Sequence, residues 1–402
     1  MATVTPKDQP TGSTQGKSPT EIEALYQERL TRIKKAIACE PVDRVPVIYQ
    51  GMAFSARYMG KTLAQYVSDP YAPQDVTIAA MERLGSVDGI NSAGVQGKMN
   101  AGQMGLQRRK MPGRELPDDT IWQVIETEVM KVEDYDTVIE KGWNAFVAEA
   151  VPRVMSESEL VAFRENQAWV AANFDCEIEK FRQHGFVIIS GAGGPASVPM
   201  EQFAGARSLP RFVMDLHRIP DKVIAASERV MADTKQTMVT PAMRNHPGLG
   251  RWVGGWRGSP GFLSPKLFDR FFWPYFRTLV EWTVEKELVP VLHLDQDWTR
   301  ELPRLLELPA KRCVLNPDGM TDLRKFREIV GDRMSMLGDV PPTILSLGTP
   351  DDVYKYVRDL IRDIGSTGLL LCPGCDAPYN TKPENMEALV AAGKEYGATS
   401  AG

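Results

Sequence analysis

Long apolar runs are missing from this chain: nowhere do about 20 consecutive apolar residues occur, so no segment is expected to cross a bilayer as a helix. Met1 to Pro19 is polar and rich in Ser, Thr, Gly and Pro, without the apolar stretch of a secretory signal, and a cytoplasmic location is expected. An excess of positive charge is missing too. With 47 Lys and Arg against 52 Asp and Glu, the formal net charge of -5 leaves no basis for a sequence-independent grip on nucleic acid. Cysteine is scarce: Cys39, Cys176, Cys313, Cys372 and Cys375 are too few for a disulfide framework and in a reducing compartment are core residues or ligands.

What is present is ordinary globular material. Hydrophobic residues make up 43% and charged residues 25% of 402, enough apolar surface for one large core. Residues 1–20 read as a disordered tail and residues 21–402 as one domain. Glu21 to Ala38 alternates apolar and charged positions at helical spacing, which predicts a leading helix. Eight β-prone runs follow: Val45 to Tyr49, Val87 to Asn91, Phe186 to Ser190, Arg251 to Gly255, Pro290 to Leu294, Arg312 to Leu315, Met334 to Gly338 and Gly368 to Cys372. Amphipathic stretches such as Lys222 to Thr237, Pro265 to Lys286, Leu323 to Val330, Pro350 to Ile364 and Pro383 to Tyr396 separate most of them. Alternating strands and helices imply a parallel sheet, and eight such units predict a (β/α)8 TIM barrel with an N-terminal helical extension. A doubly wound sheet is disfavoured because QGMAFSARYMG, after the first run, is no glycine-rich phosphate turn. The gap between the second and third runs is too long for a plain crossover, so residues 130–184 read as an inserted helical segment roofing the barrel mouth.

In such a barrel the working residues sit at the C-terminal ends of strands. The fifth run ends in LHLDQDW and the eighth in LLLCPGCDAP. Imidazole and thiolate are preferred zinc ligands and carboxylate is acceptable, so His293, Asp295 and Cys375 make a three-ligand set that leaves one exchangeable position. Residues i and i+2 of a strand share a face, which puts His293 and Asp295 on the same side. The competing reading is that His293 is a hydrogen-bonded core histidine. Cys372 and Cys375 also form a C-x-x-C pair, readable as a redox dithiol or half a zinc knuckle, while Cys372 alone suits a buried strand position. Other strand ends offer Asn316, Asp318 and Asp339, with Gly193 and Gly194 able to let backbone approach a ligand. Trp252 and Trp256 are candidates for an apolar substrate wall, and Arg57 and Tyr58 for substrate contacts; each is equally readable as packing.

Four stretches carry a resemblance: RLTRIKKAIACEPVDRVPV, VIISGAGGPASVPMEQFAGARSLPRFVMDLHRIPDKV, LGDVPPTILSLGTPDDVYKYVRDLI and CPGCDAPYNTKPENMEALV. In order and spacing they resemble the uroporphyrinogen decarboxylase superfamily, from about Arg29 to the C-terminus, most weakly in the insertion. That superfamily holds the decarboxylase and zinc methyltransferases serving corrinoid proteins. The decarboxylase has a motif like MRQAGRY after its first strand; Met52 to Tyr58 keeps Arg57 and Tyr58 but has Ala53 and Phe54 where Arg and Gln are expected. It also has an aspartate after the second strand, which INSAGVQ lacks. The methyltransferase branch is similar to this chain in a P-G-C element near the last strand and a His-x-Cys element after the fifth, matched by Cys375 and His293, with Asp295 in place of the second cysteine.

The resemblance implies zinc held by His293, Cys375 and Asp295. Asp295, Asn316 and Asp339 are then expected in catalysis and Arg57, Tyr58, Trp252 and Trp256 around the substrate. The expected activity is methyl transfer from a small methoxylated, aromatic compound to the cobalt of a corrinoid. No DxHxxG signature of a corrinoid-binding module is present, so a partner protein is expected to bring the corrinoid. The alternatives are methyl transfer from a corrinoid to a thiol, as with coenzyme M, a cofactor-free decarboxylase, and a zinc-carrying scaffold without turnover. A homodimer is compatible with each.

Overall fold

In the computed structural model, residues 14, 16–101, 106–192, 196–238 and 246–398 are described. Eight parallel strands appear in chain order: β1 (Ile48–Tyr49), β2 (Gly89–Ser92), β3 (Val187–Ser190), β4 (Gly250–Gly255), β5 (Val289–Leu294), β6 (Val314–Pro317), β7 (Ser335–Val340) and β8 (Leu369–Pro373). Each pairs with the next, and a parallel bridge between Val47 and Leu371 closes β8 onto β1. The fold is therefore a (β/α)8 barrel with extra helices, and every strand falls on or within two residues of its expected run.

Local chemistry explains the helices. Pro19–Ile37 starts at Ser18, whose side chain caps the Glu21 N–H while the Glu21 carboxylate returns to the Ser18 backbone; Pro19 at the first position needs no N–H partner. Pro350–Ile364 buries Val353, Val357, Leu360 and Ile364, a single stripe at helical spacing. The expected helix from Pro265 to Lys286 breaks into Pro265–Phe271 and Trp273–Glu285, because Pro274 has no N–H to continue the ladder and restricts the residue before it.

The barrel interior is layered. Strand alternation turns Ile48, Val187, Ile189, Val291, Val314, Leu337, Leu370 and Cys372 inward, and the leading helix plugs this apolar layer from below with Tyr26, Ile33, Ala36 and Ile37. Near the end of the expected tail Thr14 is buried and its N–H donates to Glu82 Oε2 (2.8 Å), and residues 1–13 and 15 lie outside the described residues.

Helix and barrel are joined through Asp88. Its fully buried carboxylate accepts from Arg32 (2.8 Å), twice from Arg44 (2.6 and 2.7 Å) and from the Val47 N–H (2.9 Å). Asp88→Ala should take from Arg44 its carboxylate partner, leave Arg32 with only the exposed carboxylates of Glu28 and Asp43, and cost about 3 kcal/mol in chemical denaturation against wild type. A loss under about 1 kcal/mol would mean that this cluster is solvated when the chain folds.

Between β2 and β3 the chain makes a hairpin (Arg108–Lys110 with Gln123–Ile125), two short helices (Asp134–Lys141, Trp143–Ala150) and the long helix Glu157–Gln183. Two parts of this segment touch loops at the rim of the mouth. The long helix leads into β3 like an ordinary crossover and reaches the rim through Asn166, which bonds Gln96 O (3.0 Å) and Lys98 N (2.7 Å). The short helices stand on the flank against helix Pro220–Thr237, where Lys222 pairs with Asp136 (2.8 Å). Residues 106–126 are the ones that link loops on opposite sides of the opening: Gln107 and Glu126 reach Arg257 beyond β4, while Met111 packs with Ala53 and Ala56 beyond β1.

Candidate metal centre and its surroundings

Above the apolar layer lies a polar one. On β5 the inward series Val291, His293 continues to Asp295, and on β6 Val314 is followed inward by Asn316, the register partner of His293. Cys375 follows the end of β8, in the turn after Gly374. Gly374 is required there because a Cβ would come within 2.9 Å of the Asp318 backbone. One donor atom each from His293, Asp295 and Cys375 lies within 4.8 Å of the others, and His293 Nε2 stands 3.1 Å from Asp295 Oδ1. Zinc bonds of about 2.0–2.3 Å set donors roughly 3.5 Å apart, so only a slight contraction separates this group from a tetrahedral face.

The protonation pattern of His293 follows from its neighbours. Asn316 faces the Leu337 carbonyl at 2.8 Å, which only an N–H can approach, so Nδ2 is on that side and Oδ1 is turned to His293 Nδ1 (2.8 Å). Asn91 donates to the same Oδ1 (2.9 Å) and to Gln50 (2.7 Å). Nδ1 therefore carries a hydrogen, which leaves Nε2, facing Asp295 and Cys375, as the ring position that a second proton or a metal ion would occupy. That arrangement needs a cation at its centre. Burial pushes the imidazole pKa down, yet hydrogen bonds and charge from Asp295 and Cys375 outweigh it and lift it to about 10. A proton satisfies the need minimally, and a divalent ion would satisfy it with all three donors, so the residues fit zinc.

Asp295 is held from behind, since the buried Trp298 indole donates to its carbonyl (2.9 Å). Trp252, half-buried on β4, lies beside the imidazole with ring centroids 5.6 Å apart. Trp256 is 37% exposed on the next loop and carries the Arg257 guanidinium 4.5 Å over its ring. Arg57 is exposed and stacks on Tyr379, which follows β8, at 5.8 Å.

Other expected residues are engaged elsewhere. Tyr58 is buried, and its hydroxyl donates to Glu387 (2.8 Å) on the C-terminal helix while Arg83 covers its ring. Asp339 receives the Tyr356 hydroxyl (2.7 Å) from helix Pro350–Ile364; burial raises its pKa to about 7 against the lowering effect of that bond. It does not join the His293 group. Asp318 fastens loops by accepting from Gln296 N (2.7 Å). Cys372 points into the apolar layer, 3.7 Å from Gln50 Oε1. Gly193 and Gly194 lie outside the described residues.

Three supporting residues escaped sequence reasoning. Gln50 and Asn91 complete the amide ladder behind Asn316, and strand alternation from Ile48 and Gly89 was the signal that could have found them. Glu201, on helix Pro199–Arg207, is buried, and one of its oxygens accepts the Arg257 and Gly258 N–H groups (2.9 and 2.5 Å) to hold the Trp256 loop. Burial lifts its carboxyl to about 7 despite those bonds. No local pattern announces it, because its partners are more than 50 residues away.

Fold and site together define a (β/α)8 barrel with a candidate metal centre inside its C-terminal mouth. The chain belongs to the family described as Uroporphyrinogen decarboxylase (URO-D), whose profile matches residues 178–396, more than half of its length. Relatives named uroporphyrinogen decarboxylase include one from Christiangramia forsetii, 26% identical over 136 residues (34% of this chain, 38% of that protein). Another, from Syntrophotalea carbinolica, is 29% identical over 133 residues (32% and 37%). The matched stretches thus span under two-fifths of those relatives. A methyltransferase from Methanosarcina mazei has a similar fold, with a TM-score of 0.65 over 92% of this chain and 98% of that one at 18% identity. No described helix is long and apolar enough to cross a membrane.

Proposed function

We propose that this chain is a zinc-dependent methyltransferase that takes the methyl group of a small methoxylated aromatic compound and passes it to the cobalt of a corrinoid carried by a partner protein. The observation that carries the reading is His293 Nε2 turned to Asp295 and Cys375 inside the barrel mouth, with Nδ1 occupied by Asn316. The fold shared with a Methanosarcina methyltransferase supports the same branch. In the reaction the methyl carbon–oxygen bond breaks with its electron pair left on oxygen, and the methyl passes to reduced, nucleophilic Co(I). Zinc bound by His293, Asp295 and Cys375 supplies Lewis acidity for the oxygen that takes up this charge. An aspartate in place of a second thiolate keeps the donor set hard, which suits oxygen better than sulfur.

The chain's own residues have separate tasks. Asn316 keeps the His293 hydrogen on Nδ1, Trp298 holds the Asp295 backbone, Trp252 offers a flat apolar wall beside the imidazole, and residues 106–126 tie the loop beyond β4 to the one beyond β1. A purified chain given methoxyarenes, methanol, methylamines or thiols with cob(I)alamin as acceptor should convert the methoxyarenes, read in the visible spectrum of the cobalamin. Thiol methylation from methylcobalamin without any ether cleavage would replace this reading with transfer in the opposite direction, and inertness in both assays would remove methyl transfer altogether.

A further inference from the structure

The candidate ligands Asp295 and Cys375 sit on loops that do not adjoin each other, because β6 and β7 stand between β5 and β8 in the barrel. The loop that follows β6 touches both. Asp318, its first residue, is half-buried, and both of its carboxylate oxygens accept from backbone amides. Oδ1 takes the Met320 N–H (3.1 Å), which folds the loop on itself, and Oδ2 takes the N–H of Gln296 (2.7 Å), the residue after Asp295. The backbone of Asp318 lies against the turn that presents Cys375. A Cβ added at Gly374 would meet the Asp318 carbonyl carbon and oxygen at 2.9 Å and Gly319 N at 3.1 Å, while the Gly374 N–H donates to Val340 O (2.9 Å) at the end of β7.

Gln296 does not keep its conformation unaided. Its φ of +69° lies in the left-handed region, which a residue with a Cβ holds only when its surroundings compel it. Three contacts do so: Asp318 on its N–H, Ser259 Oγ donating to its Oε1 (2.7 Å) from beyond β4, and Thr321 Oγ1 donating to its carbonyl (3.3 Å). Two residues further on, the Trp298 indole donates back to the Asp295 carbonyl, closing the turn that carries the ligand. Of the three contacts, Asp318 alone also abuts the Cys375 turn.

We propose that Asp318 is a positioning residue that sets the separation of Asp295 from Cys375, and through it the coordination geometry of the ion they bind with His293. This assignment rests on the metal centre of the proposed function and is independent of methyl transfer. A carboxylate suits the task because it accepts on both oxygens, whereas an asparagine must turn its NH2 group toward one of the two amides.

Cobalt(II) added to the metal-free chain tests this, since its visible d–d bands report coordination geometry and its thiolate-to-metal absorption reports Cys375. Asp318→Ala should shift the d–d bands and weaken zinc binding about tenfold or more in chelator competition, as the loss of a group behind metal ligands does. Asp318→Asn, which keeps one acceptor for the Gln296 N–H, should retain most of both properties. Asp322→Ala is the control for destabilisation alone: that carboxylate caps its own helix at the Arg324 and Lys325 N–H groups (3.0 and 3.2 Å), so the spectrum and affinity should match wild type while Tm falls. A folded Asp318→Ala protein with wild-type spectrum and affinity overturns the inference, as does an Asp322→Ala protein altered to the same degree. Should Asp318→Ala not fold, hydrogen exchange in the metal-free wild-type chain decides: the Gln296 amide is expected to be protected, and exchange at the rate of an open loop overturns the inference. A wild-type chain that binds neither cobalt nor zinc ends the metal reading and this inference together. Metal binding that responds to Asp318→Ala in a chain without methyl transfer sinks the proposed reaction and keeps the role of Asp318.

Discussion

Cys375→Ala is expected to purify with less than about a tenth of the zinc of the wild-type chain, because two remaining donors do not hold the ion against solvent. Methyl transfer should fall by about a thousandfold, equivalent to the several kcal/mol that a Lewis acid contributes to a leaving oxygen. The matched control is Cys372→Ser. That sulfur lies in the apolar layer below the site, so its replacement should disturb packing slightly and leave the zinc content intact. Elemental analysis of the three proteins reads both outcomes. Full zinc in Cys375→Ala would remove this residue from the centre, and equal losses in the two variants would point to a two-sulfur site.

The second large effect is expected at Asn316. Its orientation is dictated by the Leu337 carbonyl, and through that orientation it assigns the hydrogen of His293 to Nδ1. Asn316→Leu removes the acceptor, lets the imidazole divide between tautomers and strands the Asn91 amide, so zinc affinity should fall about 10–100-fold in competition with a chromophoric chelator. Asn316→Asp keeps an acceptor at Nδ1 and should lose less. Unchanged zinc affinity in a folded Asn316→Leu protein would make the residue packing and nothing more. The sequence placed Asn316 among catalytic candidates by its position at a strand end; its contacts make it a positioning residue that acts through His293.

Much of this molecule was legible in one dimension because the relevant signals are local. Alternation of apolar residues, strand length and turn residues define β1 to β8 within a few positions, and Ser18, Ser156 and Thr349 announce helix starts through capping chemistry that spans only three residues. His293 and Asp295 declared a shared face by their spacing. Cys375 was legible by residue type and strand-end position. Other assignments needed the folded chain. Tyr58 follows Arg57 directly, yet helical geometry sends one side chain to the rim and the other to Glu387 in a distant helix. Asp339 stands at a strand end like Asn316, but Tyr356 from helix Pro350–Ile364 claims its carboxylate.

What the sequence by itself determined was therefore the barrel, the strand ends that carry its chemistry and the three candidate ligands, since periodicity and residue type act over a few positions. Tertiary structure alone decided that His293, Asp295 and Cys375 converge, that an amide ladder from Gln50, Asn91 and Asn316 fixes the imidazole hydrogen, and that Glu201 is buried against the Trp256 loop. Those properties depend on distances between segments separated by tens to hundreds of residues, and on which groups are shielded from water together, and neither is written in the order of neighbours along the chain.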